Sequence, residues 1–533
     1  MQDTKKRINE NLCRIQYQDP LFAKEMNLVG ELYEFYEGVP EDYTKALTDP
    51  NETFGQLWKV NADKYMPTRD VRNLTRKLIQ KQTRFFLSVP PSLMFKPLAT
   101  SDIEKAENKR VFIDNILEDN DFWDKSKQAF TDSVIGKRVL LAVLLDVPED
   151  TNVIPLVDTR TIKLKYYTSP EFIYELNPHN DNELQKVIIV YPDEKTVGLL
   201  DTDQRWYRWT YEKQPEMATC IATFELLDGN GNSVLSTNAN TGDETLIKKS
   251  WDTKLEQIPC RVILNDRSTG DTRGRSDLLD LVYLANNYNK TVSDYRDALR
   301  FKMFEQPVFI NCDDNSIANI EIAPGSAINL KPDMAYADEN GRPVAPQATT
   351  LGSQFNFVEG TKTYLEGLKK DMYEIMEQPL PEQIQNVPSG QALKMLYYDL
   401  ISRCDGKWTE WDSAIKWAIT LIVDMAEKFG LYMDREERNA LSTDTLLTIE
   451  HNYPIPSDEE AKKEIAIKEV EANVKAKRTY IKEYGNVEDE QAEWEQIMEE
   501  MDSANQSMNA GLMETEPGFN DDDDDSSKAN GEE

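Results

Sequence analysis

The stretch SGQALKMLYYDLISRCDGKWTEWDSAIKWAITLIVDM, residues 389–425, returns an apolar side chain every three or four positions along its whole length. Leu393, Leu396, Leu400, Cys404, Trp408, Trp411, Ile415, Ile419, Ile422 and Met425 therefore share one face of a helix of roughly ten turns at 3.6 residues each. Ser389 is a good N-cap and Gly390 accepts a tight backbone, so the helix is expected to begin directly after the proline-rich loop that ends in Val387 and Pro388.

Upstream lie two more long apolar-periodic segments. Leu278, Leu281, Ala285, Tyr288, Val292, Tyr295 and Leu299 alternate steps of three and four, which predicts one continuous helix over Ser276–Phe304, on the order of 40 Å long and ended by Pro307. Val358, Leu365, Leu368, Met372 and Ile375 mark a second helix within Phe355–Gln378, stopped by Pro379 and Pro381. Residues 305–354, between them, are short apolar runs separated by turn clusters. Residues 1 to about 135 have helical texture, including LFAKEMNLVGELYEFYEG, which ends at Gly38, and TRDVRNLTRKLIQKQTRFFL, read as helical from Arg69. From 138 to about 265 the chain becomes a series of short β-rich runs such as RVLLAVLLDV and KVIIVYPD. After Tyr453, Ser457 and Glu460 form a capping box ahead of a further helix, and residues 511–533 are aperiodic and acidic, a composition that predicts disorder. The fold class expected is α+β, mainly helical.

At 533 residues the chain exceeds the roughly 250–300 at which a single core stops growing, so several cores are expected. The formal net charge of −35 repels nucleic acid over most of the surface and favours solubility. Five scattered cysteines without a CxxC pair read as idle thiols in a reducing compartment, and neither a signal peptide nor a membrane span is legible. His179 and His451 are the only histidines and lie far apart, which disfavours a histidine-based nucleophile or metal site. The run DGNGNS from Asp228 to Ser233 imitates a calcium loop but places Ser233 sixth and Ala239 twelfth, so a hairpin turn is expected. No phosphate-binding glycine loop is present, and no cofactor or metal is predicted. Arg69, Arg72, Arg76, Lys77, Lys81 and Arg84 are spaced to form a basic stripe on one helix, open to three readings: a solvated face, intersubunit pairing or phosphate contact. The alternating aromatics of RWYRWTY suit a half-buried strand better than a base-stacking platform. These residues leave three readings: a non-enzymatic conduit or platform, a carboxylate-dependent hydrolase, and an acidic scaffold or adaptor.

Several strings add a resemblance. PSGQALKMLYYDL is similar to the Ser-Gly-x-Ala-Leu-Lys turn of the portal proteins of tailed double-stranded DNA bacteriophages, of the type common in long-tailed phages of Gram-positive hosts. IPCRVILNDRSTGDTRGRSDLLDLVYLANNYNKTVSDYRDAL resembles that family's Ile-Pro strand, Ser-Asp helix start and Tyr-Asn-Lys segment, and LLTIEHNYPIPSDEEAKKEIA the strand and acidic helix start that follow. YEFYEG, NLTRKLIQKQTRFFLSVPPSL and YIKEYGNVEDEQAEWEQIMEE are also similar, although LSVPP departs from the common ending.

The resemblance implies a portal fold with wing, stem, clip and crown, assembled into a ring of about twelve copies around a central channel. Carried over by position, residues 1–275 form the wing, 276–304 and 355–378 the stem helices, 305–354 the clip, and 379–388 the tunnel loop. Residues 389–430 form the long wing helix, 431–510 the crown and 511–533 a disordered acidic tail. Gln383, Gln385 and Asn386 would face DNA from the loop, with Pro388, Ser389 and Gly390 as the loop–helix junction. The implied partners are other copies of the chain, the terminase large subunit, a head-completion or adaptor protein, major capsid and scaffolding proteins, and double-stranded DNA passing through. The implied locations are the capsid portal vertex of the virion and, during assembly, the host cytoplasm, with no membrane partner and no enzyme activity.

Overall fold

The computed structural model describes residues 20–38, 70–99, 102–145, 161–178, 180–193, 204–213, 216–229, 231–237, 244–303, 306–317, 329–335, 339, 341–351, 357–385, 390–431, 441, 443–455, 459–472, 474–484 and 493–500. Contacts divide the chain into two units, one of Met1–Asn386 with Met395–Pro454 and one of Val387–Lys394 with Ile455–Glu533. Arg69, Asn386, Pro388, Ser389, Cys13, His179 and the acidic tail lie outside the described residues.

In the larger unit, helices α1 (Pro20–Glu37), α2 (Leu74–Phe86), α3 (Ile103–Asp119) and α4 (Phe122–Gly136) precede a β-rich region. The start of α2 corrects the reading from Arg69. Asn73 is the N-cap, its Oδ1 accepting from Arg76 N at 3.0 Å while its Nδ2 donates to Tyr36 O at 2.8 Å. Gly38, at φ +73°, closes α1 against this cap, where an added Cβ would lie 2.5 Å from Asn73 Nδ2.

Strand β1 (Ser92–Pro97) pairs with the distant β14 (Thr445–Glu450), so the segment after α2 and the end of the unit share one ribbon. Strands β2 (Arg138–Leu145), β3 (Ile162–Thr168) and β11 (Cys260–Leu264) make an antiparallel sheet in the order β11-β2-β3. After Arg138 the run of β2, Val139–Leu145, is apolar throughout because this central strand is covered on both faces. A second antiparallel sheet, in the order β10-β7-β6-β5-β4, joins β4 (Phe172–Asn177), β5 (Asn180–Pro192), β6 (Arg205–Glu212), β7 (Ile221–Asp228) and β10 (Lys248–Asp252). Leu140, Phe172, Val187, Ile189, Ala222 and Cys260 are among the residues that fill the space between the sheets. Strands β8 (Leu235–Thr237) and β9 (Glu244–Leu246) form a small separate ribbon. Asn232 N donates to Asp228 Oδ1 at 2.8 Å and Gly231 N to Asp228 O at 3.0 Å, the bonds of a tight turn.

A buried Glu25 on α1 receives Lys137 Nζ at 2.6 Å, Arg138 Nη1 at 2.9 Å and Arg273 Nη1 at 3.2 Å. Burial by itself would raise its pKa, yet the hydrogen-bonded cations, Arg138 first, pull it down to about 2.

Helix α5 (Val282–Met303), strands β12 (Gln306–Ile310) and β13 (Gln347–Leu351), and helix α6 (Val358–Ile375) follow. The two strands pair antiparallel, and α5 packs on α6, with Tyr295 and Phe357 edge to face at 6.5 Å. The continuous helix expected from Ser276 starts instead as a 3₁₀ turn over Asp277–Asp280, in which Ser276 Oγ caps Leu278 N at 3.2 Å. The α-helical part is 22 residues, about 33 Å. Its buried polar face holds the chain leading into α2: Asn289 Oδ1 accepts from Arg72 N and Ser293 Oγ from Asp70 N, both at 2.9 Å.

The long helix expected from residue 389 is interrupted. Helix α7 (Gly390–Leu396) ends before Tyr397, whose φ of −93° and ψ of 4° are not helical, and α8 (Tyr398–Phe429) runs on for 32 residues. The break places the Tyr397 ring on Phe85, with centroids 5.4 Å apart. Within α8, Trp408 belongs to a four-ring stack. Phe130 of α4 lies 4.0 Å from Phe86 of α2, Phe86 lies 4.1 Å from Trp408, and Trp408 lies 4.3 Å from His451 beyond β14. His451 Nε2 also meets Asp412 Oδ1 at 2.9 Å. In the smaller unit, helices α9 (Glu459–Glu471) and α10 (Lys477–Tyr484) pack together.

Candidate functional site

The segment that follows α6 is fixed by backbone geometry rather than by its prolines. Glu377 adopts a left-handed φ of +53°, its N–H reaching Glu374 O at 2.9 Å while Gln378 N reaches Tyr373 O at 2.9 Å. This is a Schellman ending with glutamate in the place usually taken by glycine. It ends the helix before Pro379, where the prolines alone had been expected to stop it. The root of the loop is then tied to α2, because the buried Gln378 Nε2 donates to Leu78 O at 2.8 Å and Lys81 Nζ donates to Pro379 O at 3.1 Å.

The expected loop at 379–388 begins with a single helical turn, Pro381–Ile384. Gln383 Oε1 accepts from Leu380 N at 3.0 Å and so caps this turn. The side chain of Gln383 is exposed, as is that of Gln385, which follows the turn, and Gly390 opens α7. Gln383 therefore orders the loop root with its carbonyl oxygen while its position stays open to solvent.

The five described basic residues do not form one stripe. Arg72 precedes the cap of α2 and its exposed side chain lies off the helix. Arg76, Lys77, Lys81 and Arg84 occupy an arc of about 140° at about 100° per residue, opposite the buried Leu78, Gln82, Phe85 and Phe86. Two of the four have intramolecular work: Arg76 pairs with Glu37 at 3.2 Å, and Lys81 lies 5.5 Å from the Tyr373 ring centroid and 5.9 Å from that of Tyr397. Burial, then repulsion from Lys77, lowers the Lys81 pKa. Lys77 and Arg84 are exposed.

Beside this helix lies a polar node that the sequence reading missed. Asp277, buried in the 3₁₀ turn ahead of α5, receives Arg403 Nη2 at 2.9 Å, Lys407 Nζ at 3.0 Å, Asn265 Nδ2 at 2.8 Å and Gln82 Nε2 at 3.3 Å. Arg403 Nη1 also donates to Ile375 O, in the last turn of α6, at 3.3 Å. Burial would raise the Asp277 pKa, but Lys407 and Arg403 hold it far below the ordinary carboxylate range. One carboxylate thus joins α2, the strand end after β11, the start of α5 and the long α8. The only sequence signal was the spacing of Arg403 and Lys407, four residues apart beside an otherwise apolar stripe.

Chemically, this assembly holds and orients. Of the described cysteines, Cys220, Cys260 and Cys404 are buried, and burial pushes the thiols of Cys220 and Cys404 up to about 11 and about 12. Among the described residues no group of three or more His, Cys, Asp or Glu is arranged to hold a metal ion, and no helix is long and apolar enough to cross a membrane.

A β sandwich followed by helix, hairpin strands, helix, anchored loop and long helix defines a protein built to position rigid rods. The family model that matches the chain is that of phage portal proteins, and the match runs over residues 21–507. The chain belongs to this family, in its SPP1 Gp6-like branch. Among curated proteins no match to the chain is found. As a phage portal protein it is a component of the virion capsid.

Proposed function

We propose that the chain forms a closed ring of about twelve copies at a single capsid vertex, the conduit through which the genome is packaged and later ejected. In this reading α5 and α6 are the stem, residues 305–354 the clip that meets the terminase large subunit and then a head-completion protein, and residues 379–388 the tunnel loop. The β-rich part with α1–α4 and α8 is the wing, which meets capsid and scaffolding proteins, and residues 431–510 are the crown. The chain does no chemistry of its own; packaging is driven by the terminase.

The observation that carries this reading is the bareness of α6. Over its 18 residues α6 buries only Leu368, Met372 and Tyr373, while Tyr283, Phe357, Tyr364 and Ile375 stand exposed along the pair. A helix with so thin a core inside its own chain needs neighbouring copies to cover it. The net charge of −35 suits a bore through which a duplex slides, since a wall dense in lysine and arginine would hold each phosphate in turn.

Electron microscopy of the purified protein tests the reading: annular particles with a central hole are expected, and a compact monomer at every concentration and ionic condition overturns it. Deleting Gln383–Asn386 should leave rings intact and impair DNA packaging in vitro. Normal packaging by that variant removes the loop's role.

A further inference from the structure

The open end of the β sandwich is the strongest unassigned feature of the molecule. Strand alternation puts Lys163, Lys165 and Tyr167 on one face of β3, turned toward the five-stranded sheet. Tyr167 is buried in the core between the sheets, while the two lysines are exposed. On the other side Tyr191 of β5, Trp209 and Tyr211 of β6 and Trp251 of β10 continue the aromatic wall. Met425 and Phe429, at the end of α8, also line the space. The result is a cavity of about 470 Å³, inside the range of roughly 300–1,000 Å³ in which proteins take up ligands.

Its chemistry selects what can enter. Trp209 Nε1 donates to Tyr191 OH at 3.2 Å, which fixes the orientation of both rings. The Lys165 ammonium already lies 4.0 Å from the Tyr191 ring centroid and 4.8 Å from that of Tyr167, so a cationic ligand would meet like charge at the rings. Lys163 and Lys254 line the cavity, exposed and without an ion pair among the described residues, in a chain whose net charge is −35. The one carboxylate in the lining, Asp252, accepts the backbone N–H of Lys254 at 2.8 Å through Oδ1. Strand β10, which carries Trp251, is the edge of its sheet, so an extended segment can lie beside it and pair through its main chain.

We propose that this cavity is a docking pocket for an acidic protein segment: an aromatic side chain packs against the wall formed by Tyr191, Trp209 and Trp251, and flanking carboxylates pair with Lys163 and Lys254. The inference stands apart from the conduit reading, since a protein that forms rings and ignores such a segment refutes only the pocket.

The test is calorimetric titration of the full-length protein with a capped Asp-Asp-Phe-Asp-Asp peptide, against versions with Ala for Phe, Asn for each Asp, or Lys for each Asp. Saturable binding of the first peptide is expected, weakened at least about tenfold by loss of the Phe or of the carboxylates. The Trp251→Ala protein and the Lys163→Glu, Lys254→Glu double variant should each show a similar loss. The double variant changes exposed side chains only, and an unaltered melting curve shows that its loss is local. Absence of saturable binding, equal affinity in the double variant, or preference for the lysine peptide overturns the proposal.

Discussion

Helices α8 and α6 differ in where their partners are. α8 buries twelve side chains from Leu400 to Ala426, whereas α6 buries three. α8 is held inside its own chain, whereas α6 has only a thin core there. In the proposed ring, stability and assembly rest on different helices, and substitutions should separate them.

The largest effect is expected at the centre of the ring stack. Trp408→Ala should remove about 5 kcal/mol of chain stability, because a buried aromatic of this size leaves a cavity between Phe86 and His451; urea unfolding measures it. A loss near zero would show that α8 does not depend on its own chain. Asp277→Asn should cost about 3 kcal/mol, since Arg403 and Lys407 would then be buried beside a neutral group. Limited proteolysis should find the start of α5 opening first. At Glu25 the expectation concerns acid. Its folded pKa of about 2 lies below the ordinary 4.5, so its contribution is complete above pH 4.5 and is lost as the pH falls from 4.5 toward 2. Glu25→Gln should flatten roughly 2 kcal/mol of acid sensitivity over that interval in a series of denaturation curves. The smallest effect on the chain is expected at the exposed Tyr364. Tyr364→Ser should shift unfolding by no more than about 0.5 kcal/mol and yet reduce ring yield in size-exclusion chromatography. If Tyr364→Ser instead melts the protein and leaves rings unaffected, the contrast between the two helices is wrong.

The parts of the fold that follow from local periodicity were legible in the sequence. The stripe from Leu400 to Met425 is buried residue for residue, because on a helix packed within its own chain the apolar face and the buried face coincide. The turn at Asp228 was readable from its oxygen-bearing residues. The start of α2 was available in Asn73, a good N-cap four residues after Arg69. Other features depend on contacts far along the chain. The break at Tyr397 follows its stacking on Phe85, and Asp277 gathers partners from residues 82 to 407. The end of α6 was hidden for another reason: Glu377 occupies a left-handed position that local rules assign to glycine. Lys81 shows why a charge pattern under-determines use, since the same ammonium that suits a phosphate anchors the carbonyl of Pro379.

The carboxylate of Asp277 has a mechanical consequence. Because its two oxygens clamp the base of α5 to Arg403 and Lys407 on α8, a push along α5 reaches a rod about 48 Å long without slack between them.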